Sequence, residues 1–523
     1  MTNSIYVLFL SGEMKKQDIT SRLIDEIYGK IYALNDRLMR RSEKPKKNDE
    51  IYSCVDIFDF YISSQAISFL KLLYTKDVLN NALYLSARCI LEGIALKNLC
   101  KQSVVGTYKE KLLQKQVFLI EYNQYKKFND IADQILLPDK FQGDWEQTID
   151  YYKTLLKDKF SQKQITCIIK SEIPFLCEPN TNYRKIIAEN LGEEIASLYG
   201  VCSFFTHPST NNVYRENAYN IVLPILELLL KEYANLPYSD YSLSADLANT
   251  NNPFAKTFLE LFKNVANVNF SIADSFQNEF GHNYVSDTFA TIGYSLFDIA
   301  LDKQLGLTEQ IKCKWKMLLE LYSVFSYIYF KTTPKHDIYE LIKQHRTIQL
   351  KRNLNEPYST DEAYKLFCSI YATSCEKSNF DKGFKTVLGY LINENGCAPS
   401  LSFIVRDFIK QFDKDDNGQI SLGKGMLLEY CESQMLSHAN GYMWFSNSGA
   451  FNDVNHIICG IIMSSIHIIE KMLSTFKIYS EVENKTQYKS IINVLRNSLK
   501  RLKELYFQIT NMLAIPMMQK WHV

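Results

Sequence analysis

The sequence predicts an all-α protein, and three observations lead to that fold class. The 523 residues include only 19 Gly and 12 Pro, too few for the many turns that a protein built from short strands requires. Hydrophobic residues make up 46% of the chain and charged residues 22%, which is the usage of a globular protein that packs most of its length. Apolar residues recur every three or four positions along most of the chain, and that is the period of an amphipathic helix.

The length predicts more than one domain, because a single core rarely grows beyond about 250–300 residues. A stretch rich in Pro, Ser and Asn, from Asn235 to Pro253, interrupts the helical pattern, as a linker between domains does. We therefore predict two tandem helical-bundle modules, at residues 1–235 and 255–523, joined by a linker at 236–254.

The helical pattern of the first module begins at residues 15–41, which place a stripe of apolar residues opposite charged ones. That stripe consists of Ile19, Leu23, Ile27 and Ile31. Further helices are predicted at 51–74, 79–99, 108–135, 144–169, 182–206 and 219–235. Pro224 should kink or open the last of these. The candidate strand of this half is Ile5–Phe9.

The same pattern resumes in the second module after the linker. Helices are predicted at 255–279, 283–303, 308–331, 336–350, 360–377, 380–393, 398–412, 424–438, 453–478 and 484–513.

Two apolar stretches bear on location. The N-terminal apolar run is only about six residues, too short for the core of a signal peptide. Residues 457–473 contain Ser464, His467 and Glu470 and so fall short of the roughly 20 apolar residues that a membrane span needs. The 12 Cys are scattered, as reduced core thiols are. We expect a cytoplasmic protein without a membrane contact.

Composition and motifs exclude several function classes. Lys plus Arg (59) and Asp plus Glu (58) nearly cancel, so the whole molecule lacks the basic excess of a non-specific nucleic-acid binder. This balance does not exclude a local basic groove. The sequence has no phosphate-binding P-loop, no dinucleotide-binding glycine fingerprint, no Gly-x-Ser-x-Gly elbow and no His-Glu-x-x-His, which argues against the enzyme classes that these motifs serve.

One order of segments occurs twice in the chain. Arg88 lies in an apolar helical segment, His207 ends a later segment that contains Tyr199, and an apolar helix follows near Ile221. In the second half, Arg406, then Tyr430 and His438, and then an apolar helix near Ile457 follow the same order. We therefore predict two divergent copies of one module. The second copy has Lys410 in place of Glu92 and Gln434 in place of Ser203, so we expect it to be degenerate or regulatory.

Arg88 and Glu92 are four residues apart and share one face of a helix. A buried pair of charges is unfavourable unless it is satisfied, so this placement requires a reason. Arg88 could bind a phosphate group through its planar guanidinium, with Glu92 orienting it. Alternatively, the pair is a structural clamp that joins helices through Tyr199 or Ser203.

Tyr199, Ser203 and His207 recur every four residues along one helical stripe. Pro208 disfavours helical geometry at His207, so this histidine should end the helix, where the helix dipole favours its protonated form. A histidine near neutrality beside an arginine could cleave RNA by acid–base catalysis. The alternative is a histidine that caps the helix and bonds to a tyrosine.

The first copy resembles a known group of helical domains. Its Arg88-x-x-x-Glu92 and Tyr199-x-x-x-Ser203-x-x-x-His207-Pro208-Ser209 segments resemble an uncharacterised family of bacterial helical domains. That family is similar to the HEPN bundles (higher eukaryote and prokaryote nucleotide-binding), many of which are ribonucleases of toxin and anti-phage systems. The resemblance covers roughly residues 50–235 and implies a helical bundle that acts on RNA. HEPN ribonucleases usually carry an Arg and a His four to six residues apart on one helix. Here Arg88 and His207 could meet only through tertiary packing.

A separate motif lies between two predicted helices of the second half. It places the candidate ligands of an EF-hand calcium loop, Asp413, Asp415, Asn417 and Ser421, at their usual spacing around Gly418. Lys424 stands where the loop needs its bidentate Glu. The segment is therefore either a weak Ca²⁺ site or an acidic turn without metal.

Two functional hypotheses follow. The first is a bacterial defence or toxin-type effector with an RNA-cleaving or phosphate-binding site at Arg88, Glu92, Tyr199, Ser203 and His207. The second is a non-catalytic helical sensor or scaffold that binds a partner protein or a second copy of itself. A cleft open to solvent at Arg88 would favour the effector, whereas burial with satisfied hydrogen bonds would favour the scaffold.

Overall fold

The structure of the chain is a computed structural model. It describes residues 16–42, 54–75, 81–102, 183–206, 219–236, 241–249, 253–331, 335–354, 356–371, 376–383, 401–412, 422–436, 455–483 and 486–521. Every secondary-structure element in these ranges is helical, so the all-α prediction is confirmed. The candidate strand Ile5–Phe9 and the helices expected at 108–135 and 144–169 lie outside the described residues.

The helices of the first half follow the predicted pattern closely. They are α1 (Lys16–Ser42), α2 (Cys54–Tyr74), α3 (Asn81–Gln102), α4 (Tyr183–Leu191), α5 (Glu193–Phe205), α6 (Tyr219–Glu232) and α7 (Leu243–Asn249). One difference is that the segment predicted as a single helix at 182–206 is divided into α4 and α5. Gly192 lies between them with φ 96°, a left-handed conformation that glycine adopts without strain.

The helices of the second half are on average longer. They are α8 (Pro253–Phe280), α9 (Tyr284–Gln304), α10 (Thr308–Lys331), α11 (Lys335–Asn353), α12 (Asp361–Tyr371), α13 (Lys377–Gly383), α14 (Leu401–Ile409), α15 (Leu422–Leu436), α16 (Asn455–Glu483) and α17 (Thr486–Trp521). A short 3₁₀ turn, Lys410–Phe412, follows α14. The start of α9 shows why the sequence breaks there, since Asn283 and Ser286 form a reciprocal capping box that satisfies free N–H groups of the first turn.

Each half is organised around one buried helix. In the first half α3 packs against α2, α4, α5 and α6, and its side chains from Ala82 to Leu96 are buried almost without a break. In the second half α10 packs against α9, α14, α15 and α16. A helix that is buried on all sides is the centre of a bundle, so α3 and α10 are the two centres of this fold.

The segment predicted as a linker carries a packed helix, α7. Leu243 is buried in the core of the first half. Asp246 accepts a hydrogen bond of 2.7 Å from the Tyr28 hydroxyl and pairs with Lys71 at 2.8 Å. The polar composition that marks this segment in the sequence therefore includes residues that tie it to α1 and α2.

Buried and partly buried polar contacts join the two halves. The side-chain amide of Gln310 on α10 donates to Gln65 on α2 at 3.1 Å and to Ser86 on α3 at 3.3 Å. The side-chain amide of Asn353 on α11 donates to the backbone carbonyl of Gly200 on α5 at 3.0 Å. A Cβ atom at position 200 would lie 3.0 Å from the Asn353 side chain, so glycine permits this close approach.

One described helix is long and apolar enough to cross a membrane, namely Ile457–Ile478 within α16. In the 18-residue window of this stretch that is apolar enough to span a membrane, 72% of the residues are buried inside the protein. The core helix of a soluble protein has the same property, and this agrees with the interpretation of the stretch as a bundle helix.

Candidate functional site around Arg88

The candidate site forms where α5 packs against α3. Arg88 and Glu92 lie one turn apart on α3, and the Arg88 Nε donates to Glu92 Oε1 at 3.1 Å. Tyr199 approaches from α5, and its hydroxyl donates to the same carboxylate oxygen at 2.9 Å. The structure therefore brings together three of the five predicted site residues, although 107 positions separate Glu92 and Tyr199 in the sequence.

A fourth member of the cluster, Thr206, was not predicted. Its hydroxyl oxygen accepts a hydrogen bond of 2.9 Å from Arg88 Nη1 and donates to the backbone carbonyl of Ser203 at 2.8 Å. The Ser203 side chain is half-buried, and this residue enters the cluster through its carbonyl group. Nothing in the residue pattern distinguished Thr206 from its neighbours, because its role depends on the packing of α5 against α3.

The cluster is closed to solvent. The exposed fractions are 3% for Arg88, 0% for Glu92, 7% for Tyr199 and 6% for Thr206. The Arg88 guanidinium also lies 5.9 Å from the centre of the Tyr199 ring, within the range of a cation–π contact. Two charges are thus held in the interior by direct hydrogen bonds, which is the condition under which a buried ion pair is tolerated.

The electrostatics favour one protonation state. Burial lowers the pKa of Arg88, but the Glu92 carboxylate acting together with Tyr199 and Cys89 more than offsets this, and the pKa is raised above its usual value. Burial and then the Glu92 carboxylate raise the pKa of Tyr199 well above its usual value. Arg88 therefore stays charged, and Tyr199 keeps the proton that it donates to Glu92. Neither the Arg88 guanidinium nor the Tyr199 hydroxyl therefore releases its proton near neutral pH, as a general acid or base must.

The predicted histidine, His207, lies outside the described residues. Helix α5 ends at Phe205 and Thr206 is its C-cap, so the helix ends next to His207, as Pro208 led us to expect. The Cα atoms of neighbouring residues are about 3.8 Å apart, and the Thr206 hydroxyl accepts a hydrogen bond from Arg88. Thr206, which precedes His207 in the chain, is therefore held at the cluster.

Helix α11 of the second half packs against another side of α5. The Arg346 guanidinium lies 5.6 Å from the centre of the Phe204 ring, and Asn353 bonds to the carbonyl of Gly200. Arg346 is itself buried. Helix α5 thus packs against α3 of the first half and against α11 of the second.

The residues predicted as second-copy equivalents have a different environment. Arg406 lies on α14 and Lys410 in the following 3₁₀ turn, and both are exposed. His438 lies outside the described residues. The equivalence between Arg406 and Arg88 stays a prediction, but the two arginines do not share their surroundings.

A second buried Tyr–Glu pair, which the sequence did not predict, joins α15 to α10. The Tyr430 hydroxyl on α15 donates to Glu320 Oε1 on α10 at 3.1 Å, and both residues are buried. Burial raises the pKa of Glu320, whereas Lys316, Tyr430 and Arg346 act in the opposite direction. The signal that could have revealed this pair is Lys316-x-x-x-Glu320 in an apolar helix, the same spacing as Arg88 and Glu92.

The candidate calcium ligands Asp413, Asp415, Asn417 and Ser421 lie outside the described residues, so the calcium interpretation stays a prediction. Among the residues that are described, no group of three or more His, Cys, Asp or Glu side chains is arranged to hold a metal ion.

The Arg88 cluster joins α3 to α5 through hydrogen bonds. The described donors of the guanidinium point to Glu92 and Thr206, and the tyrosine hydroxyl points to the same carboxylate. Comparison with protein-family models, with characterised proteins and with solved structures finds no match to this chain.

Proposed function

We propose that this chain is a non-catalytic, cytoplasmic helical sensor or scaffold that binds a partner protein. The observation that supports this proposal is the burial of the Arg88 cluster. An arginine that stabilises a reacting phosphate must contact the substrate, whereas Arg88 is 3% exposed and its described hydrogen bonds go to protein groups. In this proposal Arg88, Glu92 and Tyr199 fix α5 against α3.

The surface supports the binding part of the proposal. Tyr294 and Phe297 on α9 are 47% and 37% exposed, and Phe270 on α8 lies beside both rings at centroid distances of 4.9 and 5.8 Å. Aromatic groups gathered at a surface are typical of protein–protein contacts. The partner would be a different protein or a second copy of this chain.

The proposal is tested by expressing the chain in bacteria and examining growth and total RNA. Wild-type protein should leave RNA intact. So should the double variant Arg88→Met with Glu92→Leu, which replaces the buried ion pair with apolar side chains of similar size. Circular dichroism must show that both proteins are folded. Fragmented RNA with the wild type, abolished in a folded variant, would overturn the scaffold proposal.

The second candidate function is an RNA-directed effector of the defence or toxin type. The hydrogen bond from Arg88 to Thr206 favours it, because it anchors the residue next to His207 at the arginine. Under this proposal His207 takes part in RNA cleavage, and His207→Ala abolishes that cleavage without loss of fold. If the wild type does not cleave RNA in the same assay, this second candidate is rejected.

A further inference from the structure

The outward face of α17 differs in charge from the rest of the molecule. Its inward residues, among them Leu495 and Leu502, are buried in the core of the second half, and the helix packs against α8 and α16. Between residues 489 and 511 the exposed charged side chains are Lys489, Arg496, Lys500, Arg501, Lys503 and Glu504. Five cations and one carboxylate give this face a net charge of 5 − 1 = +4, whereas the whole chain carries +1.

Only part of this positive charge is compensated. Lys503 pairs with Glu470 of α16 at 2.7 Å, and Arg501 pairs with Glu504 at 3.4 Å. Lys489, Arg496 and Lys500 form no ion pair within the part of the chain that the structure describes. Positive charge gathered on one face attracts a polyanion more strongly than the same charge spread over the surface.

This face also carries an aromatic side chain next to the cations. Six neighbouring residues of α17 border one shallow, open surface region, namely Arg496, Leu499, Lys500, Lys503, Glu504 and Phe507. The Phe507 side chain is 65% exposed. Arg496, Lys500, Lys503 and Phe507 are spaced by four, three and four residues, so they form one stripe with steps of about 4.5–6 Å along the helix axis.

We propose that this stripe binds a single-stranded nucleic acid. The cations would contact successive phosphates, and an unpaired base would stack on Phe507. A positive track with an aromatic ring is the arrangement by which proteins hold single strands without reading their sequence. The proposal goes beyond the protein partner proposed above and does not depend on it.

A single strand fits this face better than a duplex or a membrane does. The bases of a duplex are stacked inside the helix and leave no free face for Phe507. A helix that lies on a membrane inserts a broad apolar face, whereas Phe507 is the one large hydrophobic side chain well exposed among residues 488–511 of α17.

The test measures binding of a fluorescein-labelled oligouridylate of roughly a dozen nucleotides by the full chain, using fluorescence anisotropy. Three phosphate contacts predict a slope of about −2 in a plot of log affinity against log salt, since each contact on a single strand contributes about −0.7. Arg496→Glu combined with Lys500→Glu should weaken binding at least tenfold and flatten that slope. Phe507→Ala should weaken binding about fivefold or more through lost stacking.

Lys185→Glu combined with Lys343→Glu is the matched control. Both lysines are well exposed and lie on other helices, and the change in net charge is the same. The proposal predicts that this control binds like the wild type. It is overturned by a wild type that does not bind at low salt, or by equal losses in control and test variants. Binding to phosphatidylserine vesicles in place of the oligonucleotide would overturn it as well.

The two halves of the chain share one pattern of helix packing. Helix α3 packs against α2, α4, α5 and α6, and α10 packs in the same chain order against α9, α14, α15 and α16. The flanking helices agree as well, since α1 packs against α2 and α7, and α8 packs against α9 and α17.

The polar pairs at the two centres match this order. Tyr199 of α5 donates to Glu92 of α3, and Tyr430 of α15 donates to Glu320 of α10. A basic residue precedes each glutamate by four positions, Arg88 in one case and Lys316 in the other. The histidines predicted as equivalents follow their tyrosines at the same spacing, from 199 to 207 and from 430 to 438.

The contacts between the halves are reciprocal. The two central helices, α3 and α10, touch each other through Ser86 and Gln310. In addition, α3 touches α9, and α2 touches α10 through Gln65 and Gln310. If α9 corresponds to α2 and α10 to α3, the contact of α3 with α9 and the contact of α2 with α10 are the same contact seen from each copy. Two copies that meet through such reciprocal contacts are related by a twofold axis.

We also infer that the halves are divergent copies related by an internal twofold axis, with Lys316 and Glu320 as the counterparts of Arg88 and Glu92. In this register α14 corresponds to α4, so Arg406 is not the counterpart of Arg88. An experimentally determined structure tests the inference. Superposing α8, α9, α10, α15 and α16 on α1, α2, α3, α5 and α6 should need a rotation near a half-turn and place Glu320 on Glu92. A best superposition that places α14 on α3, or that needs only a translation, would overturn it.

Discussion

Removing one member of the buried Arg88–Glu92 pair should destabilise the protein more than removing both. Arg88→Met leaves the Glu92 carboxylate fully buried, with Tyr199 as its described hydrogen-bond donor. Breaking a buried ion pair from one side costs about 3–5 kcal/mol, because an uncompensated charge stays in the interior. Glu92→Leu leaves Arg88 in the corresponding position and should cost a similar amount.

The double variant removes both charges. What remains is a tyrosine hydroxyl and a threonine hydroxyl that have each lost one partner, at a cost of about 1 kcal/mol each. Arg88→Met with Glu92→Leu should therefore lie about 2 kcal/mol below the wild type, and should be more stable than either single variant by roughly 1–3 kcal/mol.

Urea unfolding followed by circular dichroism measures these differences. Because a chain of this length often unfolds in more than one step, hydrogen exchange of the α3 and α5 amides should be measured as well. Arg496→Met, at an exposed arginine, is the control and should change the free energy of unfolding by less than about 0.5 kcal/mol. The reasoning is refuted if the losses of the two single variants simply add in the double variant, or if Arg88→Met behaves like the control.

Three further predictions concern other buried residues. Tyr430→Phe should lower the free energy of unfolding by about 1–2 kcal/mol, since Glu320 loses a hydrogen-bond donor; a urea midpoint equal to that of the wild type would contradict this. Gly460→Ala should cost about 1–3 kcal/mol, because its Cβ would lie 2.8 Å from the buried Trp315 ring; an unchanged melting temperature would show that the ring moves freely. Burial and then Arg346 lower the pKa of His345 to about 3, so the unfolded chain binds more protons between about pH 6.5 and 3 and stability falls as pH falls through that window. Between pH 7 and pH 5 the free energy of unfolding of His345→Gln should therefore fall by about 2 kcal/mol less than that of the wild type. Urea titrations at the two pH values that show the same fall for both proteins would contradict this.

The sequence was sufficient to predict the fold class and most helix positions in the described residues, because helical periodicity is a local property. Residues 308–331 were predicted and observed as one helix, α10. Where local conformation departs from the pattern, prediction was less accurate. The helix break at Gly192 was not predicted, because the helical pattern of apolar residues continues on both sides of it. Helix α7 was not predicted because its segment has the polar composition of a linker.

The candidate site was predicted in part for the same reason. The spacing of Arg88 and Glu92 on one helix is visible in the sequence. One of the two sequence-based hypotheses, that this pair joins helices structurally, also included Tyr199 as a possible partner. Thr206 and the pair Glu320–Tyr430 were missed, because the partners in each case come from distant segments. Burial of the whole cluster is a tertiary property, so the sequence left the catalytic and structural interpretations open.

The central claim is that Arg88 is a buried structural residue, and modification of arginine side chains by a small dicarbonyl reagent tests it most directly. Peptide mass spectrometry of the folded chain should show Arg496 modified rapidly and Arg88 protected until the protein unfolds, since Arg88 is 3% exposed and Arg496 is on the surface. Modification of Arg88 at a rate similar to that of Arg496 in the folded protein would contradict the claim and favour an open, RNA-accessible site.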